Sequence, residues 1–421
     1  MPSQLTPLKP QAGQLALRAW LEIEARRQGF VGVGVTDLAP FDEATQRARQ
    51  ALAAGRMEGM PWYTEERINQ AGDLGLRFPW GRSLVALSFP YRPTTPLRPA
   101  PPRPRSPRPP SAHGRPRGRI AGFALGEDYH RCLDRALRQL VSRLAERSPK
   151  LRWHRFVDHG RAFDRAIAER AGLGFSGKNT QLITQPGGSY VLLASLVLNL
   201  ELSPDHPSRK SCGSCRACLP SCPTGALLAS GVIDAPRCIS YLTIEHAGPI
   251  PVALRPLLGS WVFGCDLCQE ACPINERHSL ASVAPGPPST GSGPVPFPDL
   301  CELLTLSELS FQRRFQATTM RRSGRERLAR NAAIALGNSR ERSAAPALAR
   351  ALAKDPSALV RGAAAWALGE LGGSRAGSAL ASALDEEADP EALKEIKNAR
   401  RRAPQAPATT RGGLHPLIHS A

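Results

Sequence analysis

Apolar residues recur at helical spacing over Gln14–Gly29 and Phe41–Ala54, with a short apolar run, Phe30–Val35, between them. That order predicts helix, strand and helix. A second strand is expected at Ser83–Phe89 (SLVALSF) and a further helix over Asp128–Leu144. Residues 152–202 then read as strand, helix, Gly-rich turn and buried segment. The last of these, Ser189–Leu200 (SYVLLASLVLNL), is too short to span a bilayer and suits a buried strand or helix. Together these elements predict one α/β layer over residues 1–205.

The pattern breaks in four places. Residues 91–118 (YRPTTPLRPAPPRPRSPRPPSAHGRPRG) are Pro/Arg-rich and are expected to form a disordered surface insertion. A cysteine-rich stretch fills 206–283, a Pro/Gly/Ser-rich linker is expected at 284–299, and a basic, frayed tail at 401–421. Between the linker and the tail, 300–400 reads as helical and carries a repeat. Ala347–Leu352 (ALARAL) recurs as Ala379–Leu384 (ALASAL), and Ala335-Leu336-Gly337 as Ala367-Leu368-Gly369, both 32 residues on. That is the scale of stacked helical pairs. Arg321, Arg322, Arg325, Arg327, Arg330 and Arg361 within it suggest an RNA-binding face.

Charge sharpens the picture only partly. A net charge of +19 favours a polyanionic partner such as RNA or DNA. High arginine usage plus the basic insertion explains it equally well. The first 20 residues are polar and proline-broken, with no secretory signal pattern, so a cytoplasmic protein without a membrane span is expected.

The cysteines say more. Cys212-x2-Cys215-x2-Cys218-x3-Cys222-Pro223 is the spacing of bacterial two-cluster ferredoxins, and Cys265-x2-Cys268-x3-Cys272-Pro273 repeats its last three positions. Cys238 supplies an eighth thiol. In such runs the Cys-Pro cysteine crosses to the other cluster. One [4Fe–4S] cluster would then take Cys212, Cys215, Cys218 and Cys272, and the other Cys222, Cys238, Cys265 and Cys268. Disulfides suit a cytosolic chain poorly. Zinc would use Cys-x2-Cys pairs but leaves the two Cys-Pro endings unexplained. Cys132 and Cys301 stand outside the pattern as ordinary buried thiols.

Several stretches together resemble the epoxyqueuosine reductases. They are Met60–Asn69 (MPWYTEERIN), Gly126–His130 (GEDYH), Val157-Asp158, Arg170–Leu182 (RAGLGFSGKNTQL), Cys238–Glu245 (CISYLTIE), the eight cysteines, and Arg330-Asn331 with Ala335–Asn338. The resemblance implies a multidomain α+β chain with three parts. These are an α/β cobalamin-binding catalytic domain, a bacterial-ferredoxin-like module of two [4Fe–4S] clusters, and C-terminal α-helical HEAT-like repeats. It further implies reduction of epoxyqueuosine to queuosine at the wobble position of tRNA by a monomer that binds the anticodon stem-loop and takes electrons from an external low-potential donor. Asp158 matches the proton donor, and Arg165, Gly177, Lys178, Asn179 and Leu182 would contact a base-off cobalamin. A donor at Asp158 should have its pKa raised by burial; on residue type alone Asp158 is also a good cap for a helix beginning near Arg161. His130, His154, His159 and His246 could ligate cobalt by type, though a base-off cofactor needs none of them. Phe123 stands where a Tyr is expected. The rival readings are a reductive dehalogenase-like enzyme and an electron-transfer ferredoxin with an RNA-binding tail.

Overall fold

The computed structural model describes residues 12–91, 115–158, 160–184, 187–277 and 294–402. His159, residues 92–114 of the expected insertion, 284–293 of the expected linker and nearly all of the 401–421 tail lie outside the described residues. In chain order the strands are β1 (Gly32–Thr36), β2 (Ser83–Pro90), β3 (Arg119–Ile120), β4 (Trp153–Phe156), β5 (Gly174–Ser176), β6 (Leu182–Thr184), β7 (Val191–Leu198), β8 (Leu227–Ala229), β9 (Val232–Ile233) and β10 (Trp261–Phe263). The main sheet has the order β1-β2-β7-β4, and each neighbouring pair is antiparallel.

Helices cover both faces of this sheet, so all eight residues of β2 are buried. Its side chains alternate between two cores, as the period of two requires. Val85, Leu87 and Phe89 pack with Leu133, Leu137 and Leu140 of the helix Tyr129–Arg147. Leu84 and Ala86 pack with Ile167 and Ala168 of the helix Asp164–Arg170. A strand covered on both sides needs no polar positions, which is why SLVALSF shows no alternation.

The insertion expected at 91–118 is shorter than its composition suggests. Tyr91 is only 7% exposed, and its hydroxyl hydrogen-bonds Gln269. At the other end, Gly118 N–H donates to Pro298 O, and Arg117 forms a bridge with Asp299. The end of the expected linker is therefore paired to the end of the insertion, because each supplies the backbone partner that the other lacks.

A third and larger core runs without interruption from the cysteine-rich stretch into the C-terminal helices. It joins Ile239, Leu242, Trp261 and Phe263 to Leu300, Leu328, Trp366 and Leu368. The repeated Ala-Leu-Gly motif sits at two equivalent helix crossings. A Cβ on Gly337 would lie 2.9 Å from Ala367 Cα, and one on Gly369 would lie 3.0 Å from Ala399 Cα. Glycine is required at both because the helix backbones touch there.

The arginines expected to face RNA mostly do not. Arg330 is fully buried and donates to the carbonyls of Leu242 (2.7 Å), His246 (2.7 Å) and Gly248 (2.5 Å). Asn331 donates to Thr243 O and Val262 O, both at 2.8 Å. Arg325 is paired with Asp355, Arg361 with Glu387, and Arg327 donates to Ile244 O and Glu245 O. Their work is to fasten the helical repeats to the 239–250 segment and to one another. Of the six, Arg321 and Arg322 are exposed. Arg330→Leu should therefore destabilise the fold by on the order of 3 kcal/mol, since it strands several buried carbonyls. Urea unfolding checks this, and a change below about 0.5 kcal/mol would remove the clamp role.

Candidate functional site

Short local turns present the cysteines. Cys215 N–H donates to Cys212 O, Cys218 opens the short helix Cys218–Ser221, Cys238 stands at the N-terminus of Ile239–Ile244, and Cys272 directly precedes Pro273–Arg277. A cavity of about 260 Å³ is lined by Cys212, Cys215, Cys218 and Cys272, with Lys178 and Asn179 at its wall. Cys272 thus joins thiols distant from it in sequence. Burial pushes the Cys218 thiol up to about 11, and Cys212, Cys272 and Cys215 add to the shift. The other four thiols are linked by their effects on one another, with Cys218 also acting on Cys268. Burial raises Cys238, Cys265 and Cys268; Cys222 adds to the shift at Cys238 and Cys268, and Cys238 to those at Cys265 and Cys268. Thiols crowded this closely suit a polycationic group that stabilises all four thiolates together. Among the described residues no three His, Cys, Asp or Glu side chains converge on a point sized for one metal ion. The thiols enclose a volume instead.

The turn after β5 touches this cage directly. Lys178 N–H donates to Cys212 Sγ at 3.5 Å, its ammonium donates to Gly213 O at 2.7 Å, and Asn179 Nδ2 donates to Cys268 O at 3.3 Å. These two side chains, expected on a corrin, are held by the cysteine loops. Leu182 is buried in the core beneath the sheet, so its side chain is not open to a ligand either. Gly177 closes the turn, its N–H donating to Gln181 O. A Cβ there would meet Asn179 Oδ1 at 2.6 Å, so the turn needs glycine. One residue further on, Thr180 O accepts from the Arg165 guanidinium. Residues 178–180 therefore reach from the thiol cage to Arg165.

Arg165 belongs to a second polar cluster around Asp158. The Tyr129 hydroxyl donates to Asp158 Oδ2 at 2.5 Å, and His130 Nε2 lies 3.6 Å from the same oxygen. His130 Nδ1 sits 2.8 Å from Asp128, which also caps the helix that carries both residues. Asp158 adopts φ 53°, a left-handed backbone that Asp tolerates better than most residues. It does not cap the next helix, which starts at Asp164 after Phe163 with no side-chain cap. Its side chain is 61% exposed, so the carboxylate is open to a ligand.

The electrostatics here differ from expectation. Burial acts to raise Asp158, but the hydrogen bonds from His130 and Tyr129 outweigh it and hold the carboxyl at about 2. The raised donor pKa expected at Asp158 is therefore not found. It occurs on Asp164 instead, pushed to about 8 by burial and then by the charge of Asp158. Asp164 Oδ1 is buried without a hydrogen-bond partner among the described residues. For His130, burial lowers the pKa, but its bonds to Asp128 and Asp158 prevail and raise it to about 9. At neutral pH the cluster thus holds protons on Tyr129, His130 and Asp164, arranged about an ionised Asp158.

Sequence reasoning marked Tyr129 only as part of a resembling motif and His130 also as a possible cobalt ligand by type, and it missed Asp164. No local signal separates Asp164 from any acid opening a helix; only the fold sets it beside Asp158. His154 lies between Phe78 and Phe156, away from this cluster, and His246 Nε2 contacts Pro249 O. Phe123 packs edge-on against Tyr129. Cys132 is buried as expected, whereas Cys301 is only half-buried.

Comparison with known proteins bears on all three regions. The family described as epoxyqueuosine reductase QueG, DUF1730, matches residues 72–159, a 4Fe–4S double cluster binding domain matches 211–275, and HEAT repeats match 317–399. The epoxyqueuosine reductase of Bacillus cereus is 34% identical over 371 residues, which is 87% of this chain and 92% of that protein. A solved epoxyqueuosine reductase from Bacillus subtilis, with its catalytic aspartate loop swung out of the active site, superposes with a TM-score of 0.82 at 33% identity, covering 93% of this chain and 100% of that one. Another, bound to an epoxyqueuosine-modified tRNA-Tyr stem loop, gives a TM-score of 0.81 at 34% identity over 92% of this chain and 99% of that one. With its double [4Fe–4S] cluster domain and HEAT repeats in place, this chain belongs to the epoxyqueuosine reductase family of oxidoreductases.

Proposed function

We propose that this chain reduces epoxyqueuosine to queuosine at the wobble position of tRNA, using a cobalamin in the cleft at Asp158 and two [4Fe–4S] clusters that feed it electrons. One observation carries this reading: residues 178–180 span from the Cys212 thiol to the Arg165 side chain beside Asp158 and Asp164. Opening the epoxide to an alkene takes two electrons and two protons and releases the oxygen as water. Clusters of this type pass electrons singly, so a pair of them beside one cleft suits that demand.

The donor set fits a cobalamin. Arg165 is an exposed cation, and Asp164 Oδ1 is an unpartnered acceptor or, when protonated, a donor for a corrin amide. Bound cobalamin would supply the strongly reducing metal centre that the protein itself lacks. The chain's own residues do the remainder. Cys212, Cys215, Cys218 and Cys272 would hold one cluster, and Cys222, Cys238, Cys265 and Cys268 the other. Lys178 and Asn179 fix the cysteine loops against the catalytic layer. Asp158 passes a proton from His130 to the substrate oxygen, while the Tyr129 hydroxyl holds the carboxylate in place. tRNA is the partner, as in the relative solved with a stem loop, and the net charge of +19 supports this. No helix among the described residues is long and apolar enough to cross a membrane.

The test is anaerobic. Protein with reconstituted clusters should bind cob(II)alamin stoichiometrically and, given a low-potential reductant, convert an epoxyqueuosine-containing tRNA to the queuosine form. Failure to bind cobalamin would refute the cofactor reading; binding without conversion would refute the substrate reading.

A further inference from the structure

One half-exposed arginine of the helical region sits apart from the clamping arginines. Arg322 lies in the turn Thr319–Ser323, and its Nε is 2.7 Å from Glu245 Oε1 at the end of the helix Ile239–Ile244. Its guanidinium carbon stands 5.9 Å from the ring centre of Trp62. Three segments far apart in sequence therefore meet here. The Arg322 side chain is 48% exposed, and Trp62 is 38% exposed. An indole this open beside a fixed cation presents a flat aromatic face and a positive charge side by side.

The support beneath the pair is rigid. Arg327 donates to Arg322 O, Ser323 O, Ile244 O and Glu245 O, so one side chain locks the backbones that carry Arg322 and Glu245. On the opposite side, Gly59 passes so close to Tyr241 that a Cβ would lie 1.9 Å from its hydroxyl, which holds the loop leading to Trp62 against the same helix. Asp128 N–H donates to Ala317 O, tying this turn to the helix that carries Tyr129 and His130. Arg322 is near enough to Asp158 and Tyr129 to act on both electrostatically. It thus stands on the side of the exposed Asp158 carboxylate.

We propose that Trp62 and Arg322 form a nucleotide clamp at the rim of the cleft, Trp62 stacking a base and Arg322 taking the phosphate of a nucleotide next to the one being reduced. Glu245 engages the Nε edge and leaves the Nη1–Nη2 end as a fork that can bind a phosphate bidentately. A tryptophan face accepts any base and adds affinity without reading sequence. The clamp would splay the neighbouring nucleotide away and so present the modified base to Asp158. This rests on the tRNA reading given above.

The test uses the cluster-loaded full chain with an epoxyqueuosine-modified stem loop, comparing wild type, Arg322→Gln, Arg322→Lys, Trp62→Ala and Trp62→Phe. Trp62→Ala and Arg322→Gln should each raise the stem-loop Kd and KM about tenfold with a much smaller change in kcat. Arg322→Gln should also lower the slope of log Kd against log salt by about one, and Trp62→Ala should leave that slope alone. Trp62→Phe should recover most of the loss, whereas Arg322→Lys should restore the salt slope but only part of the affinity, because an ammonium lacks the bidentate fork. Full Kd and an unchanged salt slope in Arg322→Gln, or full affinity in Trp62→Ala, would overturn the clamp. Trp62→Ala breaks no ion pair and decides the matter if Arg322→Gln loses iron. If the wild type itself fails to bind the stem loop, the tRNA reading falls, and the clamp with it.

Discussion

Asp158→Asn should reduce turnover of epoxyqueuosine-containing tRNA by on the order of a hundredfold or more while iron content and cobalamin binding persist. Asparagine is the informative replacement because it tolerates the left-handed backbone at this position, so the loss would be chemical and not conformational. An amide can accept the Tyr129 hydroxyl hydrogen bond but cannot take up and return a proton. The pH dependence follows from the neighbours. His130 has its pKa raised to about 9, so the stability of its pairing is fully present below its unfolded value near 6.5 and is lost as pH rises through 9. Asp158 is held at about 2, so its contribution is present above roughly 4 and is lost as pH falls through 2. Wild-type turnover should therefore decline on the alkaline side near pH 9. In Asp158→Asn one of the two carboxylates facing His130 is gone, and the residual alkaline limb should move to lower pH. Unaltered turnover would end the proton-transfer role. A limb that stays near 9 would show that His130 is not the group being titrated.

The second large effect concerns the thiols. Removing one cysteine from either cage should lower bound iron from about eight to about four per chain. The crosswise grouping makes a sharper demand. The double variant Cys218→Ala/Cys272→Ala removes two ligands from what the cavity presents as a single cage, so about four irons should remain. Were the ligands grouped segment by segment, the same variant would damage both clusters, and nearly all the iron would be lost. Cys218→Ala/Cys268→Ala provides the converse, since its two thiols lie in different cages; it should lose both clusters. Iron analysis with low-temperature electron paramagnetic resonance distinguishes these outcomes. Stability should fall with the iron, because each cluster ties together segments that the chain separates widely.

Much of this was legible from the sequence. The helices Asp42–Ala53, Tyr129–Arg147 and Asp164–Arg170, and the strands at Ser83–Pro90 and Val191–Leu198, lie within a few residues of where apolar periodicity puts them. The periodicity reports burial on each element's own surface, which is a local property. The repeat of Ala-Leu-Gly likewise marks a real equivalence, two helix crossings with the backbones in contact. Burial of charge was not legible. Arg325, Arg327, Arg330 and Arg361 looked like a basic face, yet each is committed to carbonyls or carboxylates within the fold. Nothing in an arginine's neighbours along the chain says whether its guanidinium will meet water or buried oxygens.

The cysteine spacing by itself determined the kind of module, a 4Fe–4S double cluster domain over residues 211–275, because three-residue loops and the Cys-Pro endings constrain the geometry locally. Only the tertiary structure decided what those thiols face: the turn Gly177–Asn179, which meets the cage on one side and leads to Arg165 on the other. Only the tertiary structure, too, set an ionised Asp158 among proton-bearing Tyr129, His130 and Asp164, with Arg322 brought in from more than a hundred residues away. A carboxyl's pKa is fixed by the charges and donors within a few ångströms, and those are chosen by packing, not by sequence neighbours.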